Sequence, residues 1–276
     1  MGYGDDGIAV FDQDWDVLII LDACRYNAYK KHASLPGDLR AVTSQGSVTP
    51  EWIRKNVGGR DLTDTVFVSA NGRYLKLADE LNARWHAFEP VVEDELADAE
   101  KSLLVAPPKA VTEQARVALE QYPRKRIVIH YVQPHTPYLG PLGREHFEPG
   151  RNLQDLSTDP TLDRDLILDA YHENLELVLS SVEELLDTAG PDIGRVVVTS
   201  DHGELLGDRL WPLPVRQWGH IPDLHHPLLV RVPWHRLDVG ARRDVIAEEP
   251  ADEAMTDEGN EQERLTEHLR ALGYAE

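Results

Sequence analysis

A single cysteine, Cys24, stands in a chain of 276 residues. An internal disulfide is therefore excluded, and a reducing compartment fits. Long apolar runs are missing as well, since no stretch approaches the roughly 20 apolar residues that span a bilayer. The N-terminal Met1-Gly2-Tyr3-Gly4-Asp5-Asp6 carries neither the basic nor the apolar region of an export signal. The expected location is the cytoplasm. Basic residues are scarce: 28 Lys+Arg face 49 Asp+Glu, for a net charge of −21. That balance excludes sequence-independent nucleic-acid binding, which needs a basic surface. It equally excludes a polybasic membrane anchor. Lysine is the scarcest base, with only Lys30, Lys31, Lys55, Lys76, Lys101, Lys109 and Lys125. Acid excess with little lysine is the surface expected in a very salty cytoplasm, where charges are screened within a few ångströms.

What is present is patterned. Hydrophobic residues make up 41% and fall in ordered runs, which excludes wholesale disorder. Val17–Leu21, Thr65–Ser69, Ile127–Val132, Val196–Thr199 and Leu228–Val232 read as five buried strands. Helical spacing covers 25–33, 111–121 and about 163–186. A further helix starts at Thr49, with Thr49 as N-cap and Pro50 at the first helical position. Nearly continuous apolar strands separated by helices predict an α/β fold. Its central sheet is doubly wound and mostly parallel, with helices on both faces. Residues 1–245 read as one domain, 246–262 as an acidic flexible segment, and 263–276 as a C-terminal helix. Residues 133–160 read as a long loop.

In such sheets ligands bind beyond the carboxyl ends of the strands. Asp22 follows the first strand, and Ser200-Asp201-His202-Gly203-Glu204 follows the fourth. Gln133-Pro134-His135-Thr136-Pro137 follows the third, and Ser44 to Thr49 precedes the helix at 50. Each piece also has a structural reading. Asp22 could cap a helix, Asp201-His202-Gly203 could be a turn, Thr49 could only cap, and His135 could stiffen a surface loop. All four nevertheless fall on the ligand-binding edge. Asp22 with Asp201-His202 offers the mixed O/N donors suited to a divalent cation such as Mn²⁺, Zn²⁺, Mg²⁺ or Ca²⁺. A hydroxyl beside such a cation can attack phosphorus or sulfur.

These motifs resemble the alkaline phosphatase superfamily, in its sulfatase-like and lipoteichoic acid synthase-like branch, of halophilic archaeal type. The resemblance rests on Asp16 to Arg25, on Thr199-Ser200-Asp201-His202-Gly203-Glu204 and on His130 to Tyr138. It rests further on Arg231-Val232-Pro233-Trp234 with Gly219-His220 upstream. It implies that Asp22, Asp201, His202 and the nucleophile hold the metal. Glu51-Trp52 follows Ser47 at the spacing of the synthase pattern, so Ser47 is the expected nucleophile and Thr49 the alternative. The resemblance gives His135 the substrate anion, with Arg25 and Thr49 as further binding residues. His220 would protonate the leaving group or complete a second metal site. Residues 47–51 lack the Pro and Arg spacing that formylglycine formation needs, so a formylglycine sulfatase is not expected. Gln133 stands where the family often has Asp.

The implied function is a metal-dependent hydrolase or transferase of phosphate or sulfate esters acting through a Ser nucleophile. The alternative is a non-catalytic member serving as a binding or regulatory module. A haloacid dehalogenase reading fails because position 24 is Cys, not Asp. The expected partner is a small, glycan or lipid-linked anionic ester, with no nucleic acid and no transmembrane segment.

Overall fold

A computed structural model of the chain describes residues 7–91, 105–148, 151–159, 161–190, 192–211 and 215–249. Strand β1 is Val17–Leu21, and all five side chains are shielded from solvent. A strand so apolar can only lie at the centre of a sheet covered on both faces. Parallel neighbours flank it: β5 (Arg126–Tyr131) on one side and β6 (Gly194–Thr199) on the other. Beyond β5 lie β3 (Asp61–Ser69) and the edge strand β4 (Arg84–Pro90), both parallel. Beyond β6 lie β9 (Arg231–Val239) and β2 (Asp38–Thr43), each paired antiparallel. The order is β2-β9-β6-β1-β5-β3-β4, and a separate hairpin pairs β7 (Leu205–Arg209) with β8 (Arg216–Gly219).

Side chains alternate across a strand, so β1 feeds two cores. Val17, Ile19 and Leu21 face α1 (Tyr26–His32), α5 (Pro108–Gln121) and the 25-residue α8 (Arg164–Thr188). Leu18 and Ile20 face α2 (Thr49–Val57), α3 (Arg73–Lys76) and α4 (Ala78–Leu81). Each buried Leu, Ile or Val contributes about 1.5–3 kcal/mol. Two layers of helix on one mostly parallel sheet are the expected α/β arrangement. Among the described residues no helix is long and apolar enough to cross a membrane.

Several boundaries differ from the pattern. Residues 133–160 hold two short helices, α6 (Pro141–His146) and α7 (Leu153–Thr158), the latter closed by an Asn152–Asp155 capping box. Pro227–Val230 forms the helical turn α9 after the His226 cap, so the last strand begins only at Arg231. Strands β2 and β4 escape the apolar pattern because edge strands are half exposed. Residues 246–249 are tied to the body, with Ile246 N–H on Arg124 O and Glu248 N–H on Thr63 O. The rest of the acidic segment and the C-terminal helix fall outside the described residues.

Candidate functional site

The sheet divides around β1: β3, β4 and β5 lie to one side, and β2, β6 and β9 to the other. The crevice of such a sheet opens at that point, beyond the strand ends. Asp22 stands there, immediately after β1. Asp201 and His202 follow β6 by two and three residues. Ligand atoms of the three lie within 4.8 Å of one another, and all three are buried. His202 Nε2 is 3.5 Å from both Asp22 Oδ1 and Asp201 Oδ2. His202 Nδ1 bonds its neighbour's carbonyl, Gly203 O, at 2.7 Å, which turns Nε2 toward the carboxylates. Gly203 permits this turn, because a β-carbon there would overlap the Leu228 carbonyl oxygen. On the other side Ala23 adopts a left-handed φ of 60°, with its N–H 3.3 Å from Asp201 Oδ1.

The nucleophile candidates separate. Thr49 does not cap α2; it is the helix's first residue, after Val48. Its Oγ1 instead lies 2.7 Å from Asp201 Oδ2 and 3.2 Å from His202 Nε2. Ser47 Oγ faces elsewhere, donating to Glu51 Oε2 at 3.0 Å or Ile221 O at 2.9 Å. Glu51, which also accepts the Ser47 and Asp223 N–H groups, is thus a clamp on the loop. The spacing argument for Ser47 therefore picks the residue that braces the turn, while Thr49 meets the donor set.

A second group adjoins the first. His135, Glu204 and His220 also bring ligand atoms within 4.8 Å. Glu204 precedes β7 and His220 follows β8, so the hairpin sets them together, with Glu204 Oε1 3.0 Å from His220 Nδ1. The His220 ring is 4.5 Å from that of His202 and 5.2 Å from that of His135. Arg25 is not directed at either group. Its buried guanidinium is held by the Glu204 carbonyl and the Asp208 carboxylate, so it fixes the hairpin. Gln133 likewise turns away, toward Ala106 O at 3.4 Å.

The electrostatics fit a cation. Burial, then Asp201 and Glu204, raise the Asp22 pKa well above the ordinary carboxylate range. Asp22 Oδ1 is buried with no hydrogen-bond partner. Burial, followed by the neighbouring His220, lowers His202 to about 3, so its Nε2 stays neutral. Crowded carboxylates, an orphaned oxygen and a neutral imidazole form the donor set that a divalent ion satisfies. In the second group burial pulls His220 down, but the Glu204 carboxylate overrides it and the net shift is upward. Glu204 is opposed by burial and lowered on balance by His220, His135 and His202. His135 is lowered, chiefly by burial.

Two contributors carry no motif signal. Asn71, just past β3, donates from Nδ2 to Asp22 Oδ2 at 2.8 Å. Arg73, two residues on, lies near enough for its charge to lower both Asp22 and His220. An Asn-Gly-Arg turn at the end of an apolar strand was the only available cue.

No protein-family model matches the chain, and no curated protein does. Solved structures do. The chain is similar to the C-terminal periplasmic domain of phosphoethanolamine transferase EptC from Campylobacter jejuni, at 15% identity and TM-score 0.51, covering 94% of this chain and 87% of that one. It is similar to the C-terminal periplasmic domain of EcEptC from Escherichia coli in complex with Zn, at 16% identity and TM-score 0.52, covering 82% and 74%. A sulfatase-type protein from Bacteroides thetaiotaomicron VPI-5482 matches at 13% identity and TM-score 0.50, covering 87% and 67%. At these identities the likeness speaks for architecture alone: the chain shares the α/β fold of these domains, with its mostly parallel central sheet.

Proposed function

We propose that the chain is a cation-dependent transferase or hydrolase of phosphate esters, with Thr49 as the nucleophile. One observation carries the reading: a buried hydroxyl lies on Asp201 Oδ2 and His202 Nε2, inside a donor set of three ligand-type side chains. Asp22, Asp201, His202 and Thr49 would hold the ion. When bound, a divalent ion lowers the pKa of an adjacent hydroxyl and neutralises charge on the transferring group.

The chain's own residues supply the rest. Asp201 Oδ2 accepts the Thr49 hydrogen and leaves the oxygen's lone pairs for phosphorus. The Thr49 O–P bond forms as the ester O–P bond breaks. His220, whose affinity for its proton Glu204 raises, gives that proton to the leaving oxygen. Arg73 supplies positive charge for the non-bridging oxygens, whereas His135, whose Nδ1–H donates to Thr136 O at 2.6 Å, keeps a lone pair on Nε2 when neutral. Water or an acceptor alcohol then releases the phosphoryl group from Thr49. A net charge of −21 repels such substrates, so these local cations must reverse the sign at the crevice.

The test is trapping. The chain is incubated with p-nitrophenyl phosphate and Mn²⁺ or Zn²⁺, acid-quenched and digested. The expected result is a phosphoryl adduct on the peptide containing Thr49, absent with chelator. An adduct on Ser47, or ester turnover unaffected by chelator, refutes the reading.

A further inference from the structure

His130 takes part in no proposed step, yet it sits fully buried in the central sheet, near the end of β5. Its surroundings are the rings of Trp52 and Tyr74, edge-on at 6.4 and 5.6 Å. Leaving a buried polar atom without a partner costs about 1–3 kcal/mol, so a histidine here calls for a reason.

One ring nitrogen has its partner. Nδ1 lies 3.0 Å from the hydroxyl of Tyr74, which is itself fully buried. The other, Nε2, is shielded from solvent and has none. Asp22 Oδ2 stands 3.9 Å from it. The two Asp22 oxygens divide their tasks. Oδ2 faces Asn71 and His130, while Oδ1 faces His202 and is unpartnered.

These neighbours decide where the ring hydrogen resides. If Tyr74 donates to Nδ1, the hydrogen is on Nε2 and points to a carboxyl oxygen of Asp22. The opposite tautomer would set a lone pair against that oxygen, with Nε2 still unsatisfied. The first arrangement pairs Tyr74 with Nδ1 and aims the Nε2 hydrogen at Asp22 Oδ2, 3.9 Å away. Tyr74 orients the imidazole, and the imidazole faces the back of the carboxylate whose front belongs to the cation site.

We propose that His130, fixed by Tyr74, turns its Nε2–H toward Asp22 and so positions that carboxylate as a cation ligand. His130 is a positioning residue, because it meets neither ester nor ion. The inference rests on Asp22 being a ligand, as in the proposed function. Partners of this kind hold a ligand's orientation and typically govern affinity by about 10–100-fold.

Titration calorimetry with Zn²⁺ and Mn²⁺ alone tests it, without any turnover assay. Glutamine places an amide N–H near the position of Nε2, whereas asparagine is too short. His130→Asn should weaken cation binding by about 10–100-fold, and His130→Gln should stay within about threefold of wild type. Tyr74→Phe, which removes one oxygen, should fall between them. A folded His130→Asn chain with wild-type affinity overturns the proposal. If His130→Asn does not fold, Tyr74→Phe decides: weaker binding supports the proposal and unchanged binding overturns it. Binding by wild type that Asp22→Asn abolishes, but that neither His130→Asn nor Tyr74→Phe alters, overturns this inference alone. No binding by wild type overturns the cation-site reading and this inference with it.

Discussion

Replacing Thr49 by valine keeps the side chain's shape and removes its hydroxyl. The hydroxyl is buried and gives its hydrogen to a carboxylate at 2.7 Å. A hydrogen bond to a charged partner contributes about 1.5–3 kcal/mol, and its loss leaves Asp201 Oδ2 short of a donor. For a domain of this size that is roughly 3–10 °C in Tm. Thr49→Ser keeps the hydroxyl and loses one buried methyl, at a cost of about 1 kcal/mol. Ser47→Ala also loses about 1 kcal/mol, since its hydroxyl satisfies Glu51 or Ile221. Stability thus barely separates the three, but turnover does. With p-nitrophenyl phosphate and Mn²⁺, Thr49→Val should lose more than about 10³-fold in kcat, a barrier increase beyond about 4 kcal/mol. Thr49→Ser and Ser47→Ala should both turn over. Differential scanning calorimetry confirms that each chain is folded. A folded but inactive Ser47→Ala, or an active Thr49→Val, refutes the assignment.

Asp22→Asn should abolish cation binding yet raise the Tm of the chelator-treated chain at pH 7. The folded pKa of Asp22 lies above its unfolded value, so the ionised carboxylate costs stability above the folded pKa. As pH falls through that pKa toward about 3.9 the cost disappears, so the gap between variant and wild type should close; a gap that widens contradicts this. Glu204→Gln removes the charge that lifts His220, so the alkaline limb of the pH–kcat profile should move to lower pH. An unmoved limb removes His220 as the proton donor. Gly203→Ala should cost about 1–3 kcal/mol by urea denaturation, because its methyl meets the Leu228 carbonyl; a neutral result contradicts the close approach. Turnover of an anionic ester should rise with salt, since screening relieves the repulsion from a charge of −21. A steady fall from low salt upward refutes it.

The positions of Asp22, Asp201, His202 and His135 beyond strand ends were legible because each follows an apolar run, and a strand's end is set by where its apolar residues stop. The same reasoning placed the α/β class and the parallel centre of the sheet. It passed over β2 and β4, whose half-exposed edges carry too few apolar residues to stand out. It credited Arg25 with an anion, because no spacing shows that the β7–β8 hairpin folds back onto it.

The sequence alone determined which strand ends hold Asp22, His135 and the Ser200-Asp201-His202-Gly203-Glu204 run, through local apolar patterning. Only the tertiary structure decided which hydroxyl joins them. Ser47 and Thr49 are two residues apart, and the direction of each depends on how α2 docks against the end of β6. Glu204 and His220 meet only through the hairpin, and Asn71 and His130 come near Asp22 only because β5 lies beside β1 and β3 beside β5. Contacts between strands distant in sequence come from sheet order, which no local pattern encodes.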